Sequence, residues 1–485
     1  MEKRKDVLMI CADEWGRCFT GFGGNSIVMT PTLDQLARDG IQFDNCFSSC
    51  PICIPARRSI MTGMFPSHHG DRVYSDMMPM PDAVTLAQAF SNAGYQTMAV
   101  GKLHVYPQRN RIGFDDAIIT EEGRYEFGNV DDYQTWLGEN GFAGQEFMHS
   151  MGNNSYYTRP WHLPEYTHPT MWVTKEMCRQ IKRRDPDRPH FWYVSYQFPH
   201  PPLVPLQSYL DMYEDDEIDM PEKGLDDWND DSVIMHLLRE QADEYNEKDI
   251  RRAKKAYYAQ CTLIDHQIRI LIGTLRECNL LDNTIICFLS DHGDSLFNHS
   301  IVGKRTFYQE SCNVPFLISG AVVKEYRGQV SHKLACLEDI MPTLLSICGI
   351  DIPKTVDGLD LLSSPQRERL YCEVGEGRKA TRMTTDGRYK LIYYPCGNIF
   401  QLFDIVSDPF EHHNLYGKME YSSVQTELMD YLISELHGTD DEWLENGKLK
   451  GFDSGEYRKA PDYGLYNQRG WHWPAPQGYS NLGKT

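Results

Sequence analysis

The stretch CPICIPARRSIMTG, residues 50–63, sets two cysteines close to a proline and two arginines. Cys50 and Cys53 have the C-x-x-C spacing of a zinc knuckle or a redox pair. Zinc needs two further ligands, and no second pair with knuckle spacing occurs in the chain. A thioredoxin-like pair needs a small βαβ context, which this length and pattern do not provide. Another chemistry fits better. A helix starting at about Pro55 would use the proline in its first turn. Cys53 would then sit near the positive end of that helix, with Arg57 four residues on along the same face. An anion beside Cys53 would meet the helix dipole and a guanidinium able to grip two oxygens.

Two further polar pairs stand at the ends of apolar runs. Asp13-Glu14 follows DVLMICA, and Asp291-His292 follows TIICFLS. Either pair alone reads as a solvated strand end. At one edge of one sheet, together, they form an oxygen-rich site for a divalent cation. Ca²⁺ is favoured, and the histidine beside carboxylates also admits Mn²⁺, with Mg²⁺ a further fit. Lys102 in VGKLH and His200 in FPHPP likewise close strand-like runs, although each by itself is a solvated or loop residue.

These residues need a scaffold, and the chain predicts one. TPTLDQLARDG (30–40) reads as a capped helix with Pro near its start and Gly at its end. VTLAQAFSNAGYQTMAVGKLH reads as helix, Gly stop and strand. HFWYVSYQF (190–198), TIICFLSDHG (284–293) and VPFLISG (314–320) read as buried strands, with a long helix at about 249–279. Strands separated by helices predict an α/β fold: a large, mostly parallel sheet sandwiched by helices. Ligands of such folds bind at the carboxyl ends of the strands, which is where Asp13, Lys102, His200 and Asp291 fall. From about residue 370 the helices between strands disappear. LYCEVGEG, ATRMTTDGRYKLIYY and IFQLFDIVSD, followed by SVQTELMDYLISELHG, predict a smaller antiparallel sheet with a packed helix. The expected division is 1–369 and 370–485, the latter ending in an aromatic tail rich in Pro and Gly. No internal repeat is present.

Composition narrows the classes. The chain has 485 residues, 41% hydrophobic and 24% charged, the balance of a globular protein. Its formal net charge of −21 excludes a basic face that tracks nucleic acid. It also requires a compact cluster of positive charge wherever an anion is bound. No apolar run is long enough to span a bilayer. The basic start MEKRKDVLMICADEW has too short an apolar run for a signal peptide, and Asp13 and Glu14 interrupt it. With 14 scattered cysteines, the expected location is the cytoplasm. The aromatic tail points to a homo-oligomer.

The segment CIPARRSIMTG, Cys53 to Gly63, resembles the signature of the sulfatases of the alkaline phosphatase superfamily: Cys or Ser, any residue, Pro, a small residue, Arg, then Thr-Gly. MICADE resembles the first metal strand of that family, VGKLH its lysine-x-histidine element and FPHPP its mid-chain histidine. SDHGD…GKRT resembles the second metal strand with its lysine, and TDGRYKLIYY…QLFDIVSDPFEHHNL the C-terminal module. The motifs run in order from Asp6 to about Leu415.

This resemblance implies that Cys53 is oxidised to formylglycine by a maturation enzyme. Asp13, Asp291 and His292 would bind the metal, with Glu14 standing where many relatives carry Asp and others Gln. Arg57 would hold the converted Cys53 and the sulfate. Lys102 and Lys304 would bind sulfate and ester oxygens, His200 would lie by the leaving group and His104 beside the second hydroxyl of the hydrated aldehyde. One hydroxyl of that diol attacks sulfur and expels the alcohol. His200 or Lys304 protonates the alcohol, and His104 deprotonates the other hydroxyl so that sulfate departs. The implied substrate is a small sulfated sugar, with an aryl or alkyl sulfate as the alternative. His68, His69, Arg72, Arg159, His168 and the RGWHWP segment are candidates to line the pocket. Two other readings compete: a phosphonate monoester or phosphodiester hydrolase of the same superfamily, and a non-catalytic binder of sulfated glycans. The Lys102-x-His104 pair favours a sulfatase over a diesterase.

Overall fold

The computed structural model describes residues 4–122, 130–224, 228, 232–453 and 455. The strands of its first part are β1 (Asp6–Asp13), β2 (Ile41–Phe43), β3 (Cys46–Phe47), β4 (Gln96–Gly101), β5 (Asp116–Ile119), β6 (His190–Pro199), β7 (Thr284–Ser290), β8 (Phe316–Ser319), β9 (Gln329–Ser331) and β10 (Ala335–Cys336). Eight of them form one sheet in the order β5-β4-β6-β1-β7-β8-β2-β9, and β3 pairs with β10. Every pairing in the large sheet is parallel except those of β8, which runs against both β7 and β2. Only short helical turns lie between β7 and β8. Without a crossover helix the chain returns antiparallel, a direction the apolar run VPFLISG does not encode.

The centre of the sheet is buried on both faces, so β1, β6 and β7 are continuous apolar runs rather than alternating ones. Leu8 and Ile10 of β1 pack with Leu33, Trp172 and Ile264, from helices Pro31–Asp39, Pro169–Lys182 and Glu247–Glu277. Val7, Met9 and Cys11 point the other way, to Ile60, Phe90 and Leu344 of helices Cys53–Thr62, Leu86–Asn92 and Ile340–Ile347. Each such large side chain, fully buried, contributes about 1.5–3 kcal/mol. The long helix expected at 249–279 spans Glu247–Glu277, capped by Asn246, whose side chain accepts from the Asp249 amide.

Two glycines are required by geometry. Gly63 ends the helix Cys53–Thr62 in the left-handed conformation (φ 66°). Gly101 (φ 113°) lies so close to the Ser195 carbonyl that a Cβ would sit 1.9 Å from its oxygen. Gly101 therefore lets β4 hug β6 immediately before Lys102.

The second part is a four-stranded antiparallel meander of β11 (Leu370–Val374), β12 (Thr381–Thr385), β13 (Tyr389–Tyr394) and β14 (Ile399–Asp404). Leu428 and Leu432 of helix Ser422–Glu435 cover one face, against Leu391, Tyr393 and Leu402. The other face packs Cys372, Met383, Ile392 and Phe403 against Phe47, Ile52 and Tyr308 of the first part. The RGWHWP segment and the aromatic tail lie outside the described residues. Among the described residues, no helix is long and apolar enough to cross a membrane.

Candidate active site

Because β4, β6, β1 and β7 are successive neighbours, their carboxyl ends bring residues from distant parts of the chain side by side. Asp13 is the last residue of β1, Lys102 follows β4, His200 follows β6, and Asp291-His292 follow β7. The helix expected near Pro55 begins at Cys53 itself, with Ile52 as its N-cap and Pro55 inside the first turn. Cys53 Sγ lies 3.1 Å from His292 Nε2 and 3.6 Å from Asp13 Oδ1. One turn on, Arg57 returns to the same place. Its Nε donates to Asp291 Oδ2 (2.9 Å) and its Nη2 to Asp13 Oδ2 (3.3 Å). The two-oxygen grip predicted for a bound anion is thus already taken up by two carboxylates.

Several contributors escape a reading of the sequence. Arg57 Nη1 donates to Ser195 Oγ (2.7 Å), Tyr193 OH (3.3 Å) and the Lys102 carbonyl (3.1 Å). Ser195 and Tyr193 share one face of β6, and a serine inside YVSYQF was the only available signal. Lys102, fully buried, sets its Nζ 2.5 Å from Asp13 Oδ2 and 3.0 Å from Glu122 Oε1. Glu121 Oε1 accepts from the amides of Leu103 (2.8 Å) and His104 (2.9 Å). His104 is buried one residue further on, its ring edge-on to Tyr74 with centroids 6.0 Å apart.

Glu14 does not join the Cys53 cluster. Its Oε2 lies 2.9 Å from Lys304 Nζ and 3.2 Å from His200 Nε2. The loop candidates have ties of their own. His68 meets Asp357 (2.8 Å), and His69 meets Ser59 (3.1 Å). Arg72 pairs with Glu373 and Asp440 (both 2.9 Å), and Arg159 donates to the His149 carbonyl. His168 caps helix Pro169–Lys182 by accepting from the Thr170 amide (3.2 Å).

Electrostatics divides the site in two. Burial alone would raise the Asp13 carboxyl, but the charges of Lys102, Arg57 and Lys304 outweigh it and hold Asp13 well below the usual range. Burial pushes the Glu14 carboxyl well above its usual value despite Lys304. Burial, reinforced by Lys304, holds His200 well below its ordinary value, so its imidazole is neutral. At Lys304 burial is outweighed by Cys53, Glu14 and Asp13, which keep the ammonium charged. Burial and the Asp13 charge raise the Cys53 thiol. As a plain cysteine, Cys53 is therefore a poor nucleophile.

Asp13, Cys53, Asp291 and His292 each offer a donor atom, all within 4.8 Å of one another. Carboxylate oxygens with an imidazole nitrogen suit a hard or borderline divalent cation, the more so once an oxygen replaces sulfur at position 53. Charge points the same way. Leaving Glu14 aside, the buried carboxylates of Asp13, Asp291, Glu121 and Glu122 outnumber the permanent cations Arg57, Lys102 and Lys304. An anionic ligand would be repelled unless a divalent ion reversed that balance. Asp13, Glu14 and His200 form a second donor group, but there Lys304 already supplies the positive charge.

Known proteins resemble this chain in sequence and in fold. The family profile described as Sulfatase matches residues 5–350, and one described as N-sulphoglucosamine sulphohydrolase, C-terminal, matches residues 298–437. An arylsulfatase of Clostridium perfringens is 35% identical over 480 residues, covering 93% of this chain and 98% of that protein. A protein solved in complex with its substrate D-glucosamine-2-N,6-O-disulfate has the same fold, with a TM-score of 0.72, 22% identity and coverage of 89% and 97% of the two chains. The phosphonate monoester hydrolase of Agrobacterium radiobacter also shares it, with a TM-score of 0.74, 21% identity and coverage of 89% and 95%.

Proposed function

The chain belongs to the sulfatase family and is a sulfuric ester hydrolase; on that premise we propose that it cleaves the sulfate ester of a small sulfated carbohydrate at Cys53, matured to formylglycine. The observation that carries this reading is the meeting of Cys53 Sγ, at a helix start, with Asp13 and His292 at the ends of two adjacent strands. Asp13, Asp291 and His292 would hold a divalent cation, Ca²⁺ by preference. Such a cation acidifies a hydroxyl and draws charge from a sulfate oxygen. Formylglycine adds a hydrated aldehyde, with one hydroxyl to attack sulfur and another to let sulfate go.

The chain's own residues do the rest. Arg57, engaged on every side, fixes Asp13 and Asp291 and contributes a stationary positive charge. Lys102 and Lys304 offer ammonium groups to the sulfate and ester oxygens. His200 Nε2 and Lys304 Nζ converge on Glu14 Oε2, so a proton held among the three can pass to the departing alkoxide. His104 takes a proton from the second hydroxyl. In this reading residues 1–369 carry the chemistry and 370–485 form a C-terminal unit. In the same reading the protein works in the cytoplasm, a reducing compartment, on imported fragments.

Peptide mass measurement at Cys53 tests the maturation step: an unconverted thiol in fully active protein would overturn it. A second reading, phosphonate monoester or phosphodiester hydrolysis, is compatible with the Asp291-His292 pair, as the sulfatase reading is, and a phosphonate monoester hydrolase shares the fold. Turnover of an aryl sulfate, a sulfated sugar and an aryl phosphonate on one preparation separates the two. Faster phosphonate turnover at matched concentrations would replace the sulfatase reading.

A further inference from the structure

Beyond the end of β5 the chain runs on beside the residues that follow β4. The Thr120 amide donates to the Gly101 carbonyl (3.2 Å), and the Glu121 amide to Asp131 Oδ2 (2.7 Å). Glu121 then spends its carboxylate on the amides of Leu103 and His104, which leaves Glu122 aimed at Lys102. Glu122 is 1% exposed, and its Oε1 lies 3.0 Å from Lys102 Nζ. It belongs to neither group of candidate metal donors among the described residues.

The backbone marks the same residue. Among the described residues fourteen other than glycine have positive φ, and Glu14, His104 and Glu122 (66°, 60° and 60°) are three of them, in a left-handed conformation that side chains rarely adopt. Such strain persists only where the surroundings impose it, and it gathers at functional sites. Two of these three positions carry roles in the proposed chemistry. Glu122 so far carries none, yet it brings a further buried negative charge to a site that must accept an anion.

We propose that Glu122 is a counter-charge to Lys102, loosening the site's hold on free sulfate so that the product leaves. The inference rests on the sulfatase reading, in which Lys102 touches sulfate oxygens. Inorganic sulfate keeps the groups that bind the transferring sulfate and loses only the sugar. A site built from ammonium groups and a divalent ion would retain it strongly. Sharing one ammonium between Asp13 and Glu122 lowers that retention, while the fixed distance keeps Lys102 in place for the ester.

The competing role is purely structural: Glu122 could serve only to compensate and position a buried lysine. The two roles predict opposite signs. Glu122→Gln keeps the volume and an acceptor oxygen for Lys102 Nζ but removes the charge. Calorimetry of inorganic sulfate binding to the metal-loaded protein should then show roughly ten-fold tighter binding. Competitive inhibition by sulfate should tighten in parallel, with kcat and KM for an aryl sulfate both falling. Unchanged or weaker sulfate binding overturns the proposal. Glu122→Asp, charged but one methylene shorter, should move sulfate affinity the same way by a smaller factor, and it carries the test if the Gln variant does not fold. Lys102→Met separates this inference from its premise. If that variant binds sulfate like the unaltered protein, Lys102 does not hold sulfate and the premise fails. If it binds sulfate more weakly while Glu122→Gln does not bind it more tightly, only the role of Glu122 falls.

Discussion

The molecule buries two networks of arginine and carboxylate, and they are built differently. One joins the first part to the C-terminal sheet. There Arg382 forks onto Asp440 (2.8 and 3.1 Å) and gives its remaining donors to the carbonyls of Val374, Gly375 and Thr381. Arg72 pairs with Glu373 and Asp440, and Trp443 lies 4.9 Å below the Arg382 guanidinium. Two buried arginines face two buried carboxylates, and the charges close on themselves. The other network is the site at the strand ends. Its carboxylates exceed its permanent cations, a thiol lies among acids, and its backbone is strained at Glu14, His104 and Glu122. Equal burial and similar distances therefore do not make equal purposes. The closed network holds two parts of the chain together, whereas the open one is completed by something it binds.

The largest expected effect tests the open network alone. Cys53→Ala should reduce turnover of an aryl sulfate by more than about 10³-fold, while thermal melting hardly shifts. A variant that kept its activity would remove the distinction between the networks. The mirror experiment is Arg72→Ala, which leaves Glu373 to His437 and Asp440 to Arg382. It should cost about 3–5 kcal/mol in denaturant unfolding, with kcat per folded molecule unchanged. A selective loss of kcat there would mean that the closed network reaches the chemistry.

Smaller effects sharpen the contrast. Glu121→Ala releases the amides of Leu103 and His104 and should lower kcat about ten-fold, whereas Glu121→Gln retains an acceptor and most of the rate. The smallest effect belongs to His437, whose hydrogen bond to Glu373 raises its pKa above the ordinary 6.5 against the opposing effect of burial. Its stabilisation is complete below pH 6.5 and fades as pH rises through the raised value. The side chain is 36% exposed, so screening limits the effect to about a few tenths of a kcal/mol. Unfolding of His437→Gln against the unaltered protein at several pH values should show the difference shrinking in that direction.

Much of this was readable along the chain, because burial on both faces turns central strands into plain apolar runs. The ends of those runs located Asp13, Lys102, His200 and Asp291 before any coordinates. The periodicity of CIPARRSIMTG placed Arg57 over Cys53, although the helix starts two residues earlier than its proline suggested. Glu121 and Glu122 were invisible for a physical reason: TEEG after a short strand looks like any solvated turn. Only the neighbouring β4 makes those carboxylates partners of Lys102, Leu103 and His104. Ser195 and Tyr193 were hidden in the same way, inside a strand whose polar members carry no spacing signal.

Chain order and residue type, then, determined the α/β pattern, the strand ends and the residues able to react, because local hydrophobic period and side-chain chemistry are properties of short segments. The tertiary structure alone decided that β8 runs backwards, that the fork of Arg57 is engaged by carboxylates, that Glu14 turns to Lys304 and His200, and that Glu122 shares Lys102 with Asp13. Each of these depends on which strands become neighbours, and that is settled by the packing of the whole sheet rather than by any stretch of sequence.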